Sequence, residues 1–320
     1  MTHLSVAVPI STLWSAPNAP REVDGPAISA TPDIYTWCKA MSTEDRRGLH
    51  GRTLSQLLMG EPVEVTEESA GWVRVKAPWQ PSSAGLPADS EFAGYPGWLP
   101  RSHLAARADP PDGHGQAVVT ARTTLLRIGV EASSATGREA GATVAISWAT
   151  TLPVLAVTDT EVHVALPGGR RGVLEAADVR VRPAGTVPAV TGEAALASAR
   201  RMLGTGYLWG GTSGWGVDCS GLVHLAFRGH GWVVPRDAHD QQAAATDVAP
   251  DRARPGDLYF FGAAGEVSHV GLFSGDDQML HAPQTGELVE EETLDPDRLR
   301  GLTGVGRFGS GGAAHLVKTR

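Results

Sequence analysis

The stretch YLWGGTSGWGVDCSGLVHLAF, residues 207–227, determines how the rest of the chain is interpreted. Its first half combines aromatic residues with closely spaced glycines, which is typical of a tight, irregular loop. Its second half, residues 222–227, carries apolar residues at helical spacing. Asp218 stands where a helix N-cap is expected, and Gly229 where the helix should end. The pattern predicts a helix whose first turn contains Cys219.

Cys219 at a helix start has two interpretations. The reactive form of cysteine is the thiolate, and the partial positive charge at a helix N-terminus favours an anion there, which indicates a nucleophile. A free cysteine is more commonly a buried structural residue. From this helix alone both interpretations stay open.

Two histidines follow on a predicted β-hairpin. Residues 267–273 carry β-branched and apolar side chains around His269, which indicates a strand. A second short apolar run, residues 279–282, contains His281 and follows a turn-like segment at residues 274–277. On neighbouring antiparallel strands the two imidazoles can share one face, where one acts as base to the thiol and the other orients it.

Six segments in this part of the chain resemble, in order and spacing, the successive motifs of the NlpC family of papain-like cysteine peptidases. The resemblance implies an α+β, papain-like domain that hydrolyses an amide bond of peptidoglycan stem peptides. It gives Cys219 the role of nucleophile, His269 that of general base and His281 that of the orienting residue. It places the phenol of Tyr207 near the nucleophile, where it polarises the substrate carbonyl. The segments are YLWGG (207–211), DCSGL (218–222), PRD (235–237), PGDL (255–258), SHVG (268–271) and HAP (281–283).

The remaining sequence predicts two all-β modules in front of this domain, because short β-patterned runs alternate with glycine- and proline-bearing turns. Both modules resemble bacterial SH3-like barrels. The predicted divisions are an N-terminal extension packing on the first barrel (1–50), the first SH3-like domain (51–108), the second SH3-like domain (115–183) and the peptidase domain (190–320).

Several connecting segments carry more local expectations. Proline, serine, alanine and glycine predict an exposed loop over residues 78–94, followed by a rigid aromatic turn at 94–100. A short helix is expected at residues 241–246. Residues 313–318 are expected to close the last domain.

Composition and charge exclude some classes of function. Apolar residues make up 42% of the 320 residues and charged residues 19%, an ordinary globular balance. The net charge of −8 argues against nucleic acid or an anionic membrane as the main partner. No apolar run is long enough to span a membrane. No cofactor, metal or oligomer is implied.

The start of the chain and its cysteine content bear on the compartment. The first residues show no basic segment, apolar core and cleavage site of a secretory signal. Two cysteines, Cys38 and Cys219, do not indicate a disulfide framework, and a bridge between them would consume the proposed nucleophile. We therefore expect the protein in the cytoplasm.

Two SH3-like modules ahead of an NlpC-type domain resemble one branch of the family, the γ-D-glutamyl-L-diamino acid endopeptidases, or dipeptidyl-peptidases VI. The resemblance implies cleavage between D-glutamate and lysine or diaminopimelate in murein peptides with a free N-terminal L-alanine. The product L-Ala-D-Glu implies recycling of wall fragments. Sequence alone does not decide which diamino acid occupies the third position.

The resemblance to this branch also gives candidates for recognising the free ammonium. A site that leaves a carboxylate unpaired rejects substrates lacking the amine. The candidates are Asp218, Ser220, Glu61 and Tyr95, and Asp237 stands where the family binds the substrate backbone. Ala238 replaces a serine that is frequent in the branch.

Each candidate has a structural alternative. Asp218 can be only a helix cap, and Ser220 can simply pack in the first turn. Glu61 lies in a turn where solvated acids are common, and Tyr95 can belong to the packing of the barrel. Asp237 can form a structural ion pair with Arg236.

Three other functions are compatible with the same residues. Cys219, His269 and His281 are suitable ligand types for a metal, although the close-spaced pairs of usual zinc motifs are missing. A wall-peptide-binding protein with an inactive peptidase domain is a second hypothesis. An acyltransferase that uses the same thiol is a third.

Overall fold

A computed structural model describes residues 3–87, 90–108, 115–129, 142–186, 189–263 and 265–309. Two β-rich regions precede a region in which helices pack on an antiparallel sheet. Among these residues no helix is long and apolar enough to cross a membrane. The predicted segment at 313–318 and the connection at residues 109–114 lie outside the described residues.

The first region contains a sheet whose described strands have the order β3-β2-β6-β5-β4-β1-β7, paired antiparallel. Residues 1–50, predicted to pack on this barrel, also contribute β1 and β2 to its sheet, and short helices follow β2. The elements are β1 (Leu4–Val6), β2 (Ile10–Trp14), α1 (Gly25–Ile28), α2 (Ile34–Ala40), α3 (Thr43–Arg47), β3 (Thr53–Leu58), β4 (Pro62–Ser69), β5 (Trp72–Ser82), β6 (Ala93–Pro100) and β7 (Leu104–Ala106).

Two expectations for this region are wrong. The predicted loop at 78–94 begins too early, because β5 continues to Ser82. The predicted aromatic turn at 94–100 lies in strand β6, which pairs with β5. The pairing of β5 with β6 is irregular between Ala77 and Pro81, and such an irregularity accommodates prolines that cannot donate to a sheet.

The second region contains a sheet with the order β10-β9-β13-β12-β11-β8-β14 in its described part. Residues 118–126 do not form one continuous strand, because they are divided between β8 and β9. Gly168 and Gly169 connect β12 to β13 with φ angles of 77° and 73°, which glycine adopts without strain. The strands are β8 (Gln116–Val119), β9 (Thr123–Ile128), β10 (Thr143–Ser147), β11 (Thr151–Val157), β12 (Glu161–Leu166), β13 (Arg170–Glu175) and β14 (Val179–Arg182).

The third region packs helices against a sheet of order β17-β22-β18-β19-β20-β21. The short helix predicted at 241–246 begins earlier and ends earlier, at Ala238–Ala244. The elements are α4 (Gly192–Ala199), β15 (Thr212–Ser213), β16 (Gly216–Val217), α5 (Cys219–Arg228), α6 (Ala238–Ala244), β17 (Thr246–Asp247), β18 (Leu258–Ala263), β19 (Glu266–Gly275), β20 (Gln278–His281), β21 (Glu290–Thr293), α7 (Pro296–Leu299) and β22 (Leu302–Arg307).

One apolar core connects the three regions. Trp14 and Trp37 from the first region, Trp148 from the second, and Leu222 and Phe227 from α5 belong to the same buried cluster. Each of these side chains is at most 1% exposed. The helix that begins at the cysteine is therefore fixed by contacts with all three regions.

Candidate active site

Helix α5 begins at Cys219, as predicted, and Asp218 is its N-cap. The Asp218 carboxylate accepts hydrogen bonds from the backbone N–H of Gly221 at 2.7 Å and of Gly210 at 2.9 Å. A Cβ at position 221 would lie 2.1 Å from the carbonyl oxygen of Gly211, so this turn of the helix packs directly on the glycine-rich loop. Cys219 is 8% exposed in this arrangement.

The predicted histidine hairpin is confirmed. Strands β19 and β20 pair antiparallel with Leu272 opposite Leu280. Nε2 of His269 lies 2.8 Å from Nδ1 of His281, and the two rings meet edge to face with centroids 5.0 Å apart. A side chain at Gly271 would collide with Met279 and approach the Cβ of His281 to 3.1 Å, so glycine keeps this face open for the imidazoles.

The thiol lies against the strand that carries His269. Helix α5 packs on β19, and the backbone N–H of Val270, the residue after His269, interacts with the sulfur. Burial, followed by the charge of Asp218, raises the pKa of Cys219 to about 12, although the N–H groups of Val270 and Ser220 lower it. The N–H groups around the helix start thus lower the pKa of the thiol, as predicted, but burial raises this pKa by more.

Both imidazoles are neutral at physiological pH. Burial, followed by the positive charge of Arg298, lowers the pKa of His269 to about 4. Burial, followed by His269 and Arg298, lowers the pKa of His281 to about 3. The resting site therefore combines a protonated thiol with an unprotonated imidazole, which is a base able to take the thiol proton.

Tyr207 is buried close to this centre. Burial raises the pKa of its phenol, and the charges of Asp218 and Cys219 raise it further. Its backbone is fixed on both sides, because its N–H donates to the carbonyl of Glu287 at 2.9 Å and its carbonyl accepts from Arg46 at 3.0 Å. The phenol is therefore a neutral O–H group beside the thiol.

Asp218 is already paired with Arg236. The guanidinium donates to both carboxylate oxygens, at 3.0 and 2.7 Å, and to the hydroxyl of Ser220 at 3.0 Å. The expected alternative, an ion pair of Arg236 with Asp237, is longer, at 3.9 Å. Asp218 and Ser220 lie together next to the nucleophile, but the charge of this carboxylate is neutralised within the protein.

Tyr95 and Asp237 meet at the boundary between the first region and the third. The Tyr95 hydroxyl donates to Oδ2 of Asp237 at 2.8 Å. Burial raises the pKa of Asp237, and burial also raises that of the Tyr95 phenol. The Asp237 side chain is 27% exposed, so this carboxylate, unlike Asp218, is accessible and only partly neutralised.

In the described part of the chain, Glu61 is linked to the other candidates only indirectly, through Gln80, Ser55 and Arg236. It is fully buried, and its carboxylate accepts from the backbone N–H of Leu58 at 2.7 Å and forms an ion pair with Arg228. Gln80 donates to Glu61 at 3.4 Å and to the carbonyl of Gln56 at 2.7 Å. Glu61 is therefore not solvated, because it is the counterion of an arginine buried on α5.

Two groups of potential metal ligands occur among the described residues. Asp237, His239 and Asp240 form one, and His281, Glu290 and Glu292 the other. In the first, Asp240 accepts two hydrogen bonds from Ser83. In the second, His281 is bonded to His269, and Glu292 is paired with Arg298. Contacts within the protein account for these groups, and neither unites Cys219 with both histidines.

Some residues of the site were not predicted. Arg236 belongs to a recognised motif, but its pairing with Asp218 was not anticipated. Ser55 accepts a hydrogen bond from Arg236 at 2.8 Å, although the two residues are 181 positions apart in the sequence. The Ser55 hydroxyl donates to Gln80 at 2.5 Å. Glu292 lies 3.0 Å from His281. It belongs to an acidic run of sequence, a pattern typical of exposed surface. No local pattern identifies these partners.

Comparison with known proteins agrees with this geometry. Residues 204–300 match the NlpC/P60 family, and residues 136–181 match the YKFC SH3b2 domain. A γ-D-glutamyl-L-lysine dipeptidyl-peptidase of Bacillus subtilis is 33% identical over 299 residues, covering 92% of this chain and 94% of the relative. One of Bacillus cereus is 30% identical over 312 residues, 95% and 90% of the respective chains.

The chain belongs to the NlpC/P60 family. A crystal structure of an NlpC/P60 family protein from Bacillus cereus has a TM-score of 0.85 and 28% identity, covering 96% of this chain and all of that one. The predictions of an NlpC-type cysteine peptidase and of SH3-like domains ahead of it are confirmed.

Proposed function

We propose that the protein hydrolyses the amide bond between D-glutamate and the L-diamino acid of murein peptides with a free N-terminal L-alanine. The observation that carries this proposal is the buried thiol at a helix start, beside a hydrogen-bonded histidine pair. The two relatives named γ-D-glutamyl-L-lysine dipeptidyl-peptidase, aligned over nine-tenths or more of this chain, support the same substrate class.

The first chemical step follows from the charge state of the resting site. His281 engages Nε2 of His269, so Nδ1 is the ring nitrogen left to accept the Cys219 proton. As the proton moves to His269, the sulfur attacks the γ-carbonyl carbon of D-glutamate. The developing oxyanion accepts hydrogen bonds from the backbone N–H of Cys219 and from the Tyr207 hydroxyl.

Collapse of the intermediate completes acylation. The imidazolium of His269 gives its proton to the leaving amine of the diamino acid, and the C–N bond breaks. A thioester between Cys219 and L-Ala-D-Glu remains. Water then loses a proton to His269 and attacks the thioester, which releases the dipeptide and restores the thiol.

Recognition of the free ammonium falls to Asp237 and Tyr95. Asp218 was the first candidate, but its bidentate ion pair with Arg236 leaves no uncompensated charge. Asp237 is a half-buried carboxylate whose pKa burial raises, and a bound ammonium would complete the neutralisation that Arg236, 3.9 Å away, provides only in part. The hydroxyl of Tyr95 holds this carboxylate in place at 2.8 Å.

The substrate chemistry also supports a site of action in the cytoplasm. A free L-alanine amine exists only after the stem peptide has been cut from its sugar, so the substrate is a released fragment. We propose that the enzyme recycles such fragments. Fractionation of cells should place it with cytoplasmic proteins, and recovery in the wall fraction would contradict this compartment.

Product analysis tests the proposed reaction. L-Ala-γ-D-Glu-L-Lys and its diaminopimelate counterpart are incubated with the wild type and with Cys219→Ala, and products are identified by mass spectrometry. The wild type should release L-Ala-D-Glu from at least one of them. Cys219→Ala should be inactive with an unchanged melting temperature, because alanine suits the first turn of a helix. An intact tripeptide with the wild type would indicate a binding protein, and transfer to an added amine without hydrolysis would indicate an acyltransferase.

A further inference from the structure

His281 has a second neighbour besides His269. Glu292 lies on β21, which pairs with β20 so that Glu290 stands opposite His281 and Glu292 opposite Met279. Oε1 of Glu292 is 3.0 Å from Nε2 of His281. The His281 side chain is completely buried, and its contact with Glu292 is electrostatic, because Nε2 and Oε1 lie close together without reaching hydrogen-bond geometry.

Glu292 is itself fixed. Nε of Arg298, on α7, lies 2.9 Å from the same Oε1. The guanidinium of Arg298 stands 6.0 Å from the ring centre of Phe261, which is paired with His269 in the sheet. The carboxylate is therefore held between a cation and the imidazole of His281.

The arrangement has a consequence for the position of each proton. A neutral imidazole has one N–H and one lone pair, whereas an ionised carboxylate only accepts hydrogen bonds. A carboxylate oxygen 3.0 Å from Nε2 of His281 attracts an N–H and repels a lone pair at that position, so it favours the proton on Nε2 and leaves Nδ1 of His281 as an acceptor. The bond between the histidines then requires the proton on Nε2 of His269, so Nδ1 of His269 is unprotonated.

We propose that Glu292, held by Arg298, is a positioning residue that fixes the tautomers of both histidines and so keeps Nδ1 of His269 free for the thiol proton. Without the carboxylate, His281 can carry its proton on Nδ1 and donate to His269. The proton of His269 would then sit on Nδ1, and this ring could not act as the base. The effect on rate rests on the proposed function, whereas the effect on tautomers does not.

Several charged side chains surround His269, His281 and Glu292. Arg298 faces them from α7, Glu290 from β21, and Asp218 acts on His269 from the start of α5. Burial raises the pKa of Glu292, Arg298 opposes this, and Glu290, Asp295 and Glu287 add to it. Arg298 is the group that keeps the carboxylate ionised, since the other charges around Glu292 favour its protonation.

The test compares Glu292→Ala and Glu292→Gln with the control Glu291→Gln. Glu291 is on the same strand, but its carboxylate pairs with Arg200 at 2.7 Å, away from the histidines. Glu292→Ala should lower kcat for the tripeptide on the order of 10- to 100-fold, the effect of removing a residue that orients a metal-bound histidine, with little change in KM. Glu292→Gln keeps an acceptor oxygen and should retain much of the activity. Glu291→Gln should behave as the wild type.

The second readout is the tautomer itself, measured in the full-length protein from the ¹⁵N chemical shifts of the His269 and His281 rings. The wild type, Glu291→Gln and Glu292→Gln should show a protonated Nε2 and an unprotonated Nδ1 on both rings, and Glu292→Ala should show a mixture. Wild-type activity in Glu292→Ala would overturn the proposal, as would lost activity with unchanged tautomers. If the wild type does not cleave the tripeptide but Glu292→Ala shifts the tautomers, the proposed function fails while the positioning role stands.

Discussion

At the residue scale, the chemistry depends on two neutral groups in a buried setting. Burial raises the pKa of Cys219 to about 12 and lowers that of His269 to about 4. A preformed ion pair is therefore not the resting state, and the thiol loses its proton as it attacks. The nearby backbone N–H groups favour the sulfur anion once it forms, because each of them lowers the pKa of the thiol.

The low pKa of the imidazoles gives a prediction for pH dependence. A group whose pKa is depressed stays unprotonated until the pH falls through that pKa, so the histidine pair should titrate far below the ordinary value of 6.5. Arg298→Met removes a cation that lowers both pKa values and should move the titration upward. NMR titration of the two rings measures this. A wild-type midpoint at or above 6.5, or no shift in the variant, would contradict it.

At the element scale, the glycine-rich loop before α5 is held by side chains from the two β-rich regions. The hydroxyl of Thr53, on β3, donates to the carbonyl of Trp209 at 3.0 Å. Gln56 accepts from the backbone N–H of Thr212 at 3.2 Å, and Ser147 accepts from that of Gly214 at 2.9 Å. The conformation of the catalytic loop thus depends on contacts that the peptidase domain does not itself provide.

Removal of one such contact should reduce both stability and turnover. Thr53→Val keeps the side-chain volume but leaves the carbonyl of Trp209 without its donor, which should lower the free energy of unfolding by about 1–3 kcal/mol. We also expect a lower kcat. Urea denaturation and tripeptide kinetics measure the two effects. The exposed Thr66→Val, whose hydroxyl contacts only its own hairpin at Arg74, is the matched control, and equal behaviour of both variants would disprove the role of the contact.

The elements that sequence predicts well are those fixed by neighbours along the chain. An N-cap, helical periodicity and a glycine stop locate α5, and an Asp276–Asp277 turn with φ angles of 49° and 57° locates the hairpin of His269. Strand β6 was missed because its glycines and prolines favour a turn, and pairing with β5 overrides that preference. Glu292 was missed because its partner lies on another strand.

At the scale of the whole molecule, a buried ion pair and a network of hydrogen bonds join the first β-rich region to the peptidase domain. Glu61 pairs with Arg228, and Gln80 and Ser55 continue the polar network to Arg236 and Asp218. Glu61 and Arg228 are 167 residues apart, so no local sequence pattern predicts their contact. The family resemblance makes Glu61 a candidate substrate ligand, whereas the structure shows its carboxylate paired with Arg228.

Substitution of Glu61 separates these two roles. Glu61→Gln leaves Arg228 buried without a counterion and should lower the free energy of unfolding by about 3–5 kcal/mol. KM for the tripeptide should not change. Asp297→Asn, which breaks the exposed pair with Arg300, should alter stability little and serves as control. Urea denaturation measures the free energy of unfolding, and steady-state kinetics measure KM. A raised KM with unchanged stability would show that Glu61 binds the substrate.

The central claim is that the cleft cleaves peptides whose free ammonium is recognised by Asp237. The most direct measurement is kcat/KM for the tripeptide and its N-acetylated form, in the wild type and in Asp237→Asn. Acetylation should cost the wild type about 2–5 kcal/mol of transition-state stabilisation, since it removes the cation that pairs with this half-buried carboxylate, and the difference should shrink in Asp237→Asn. Equal kcat/KM for the two peptides in the wild type would contradict the account.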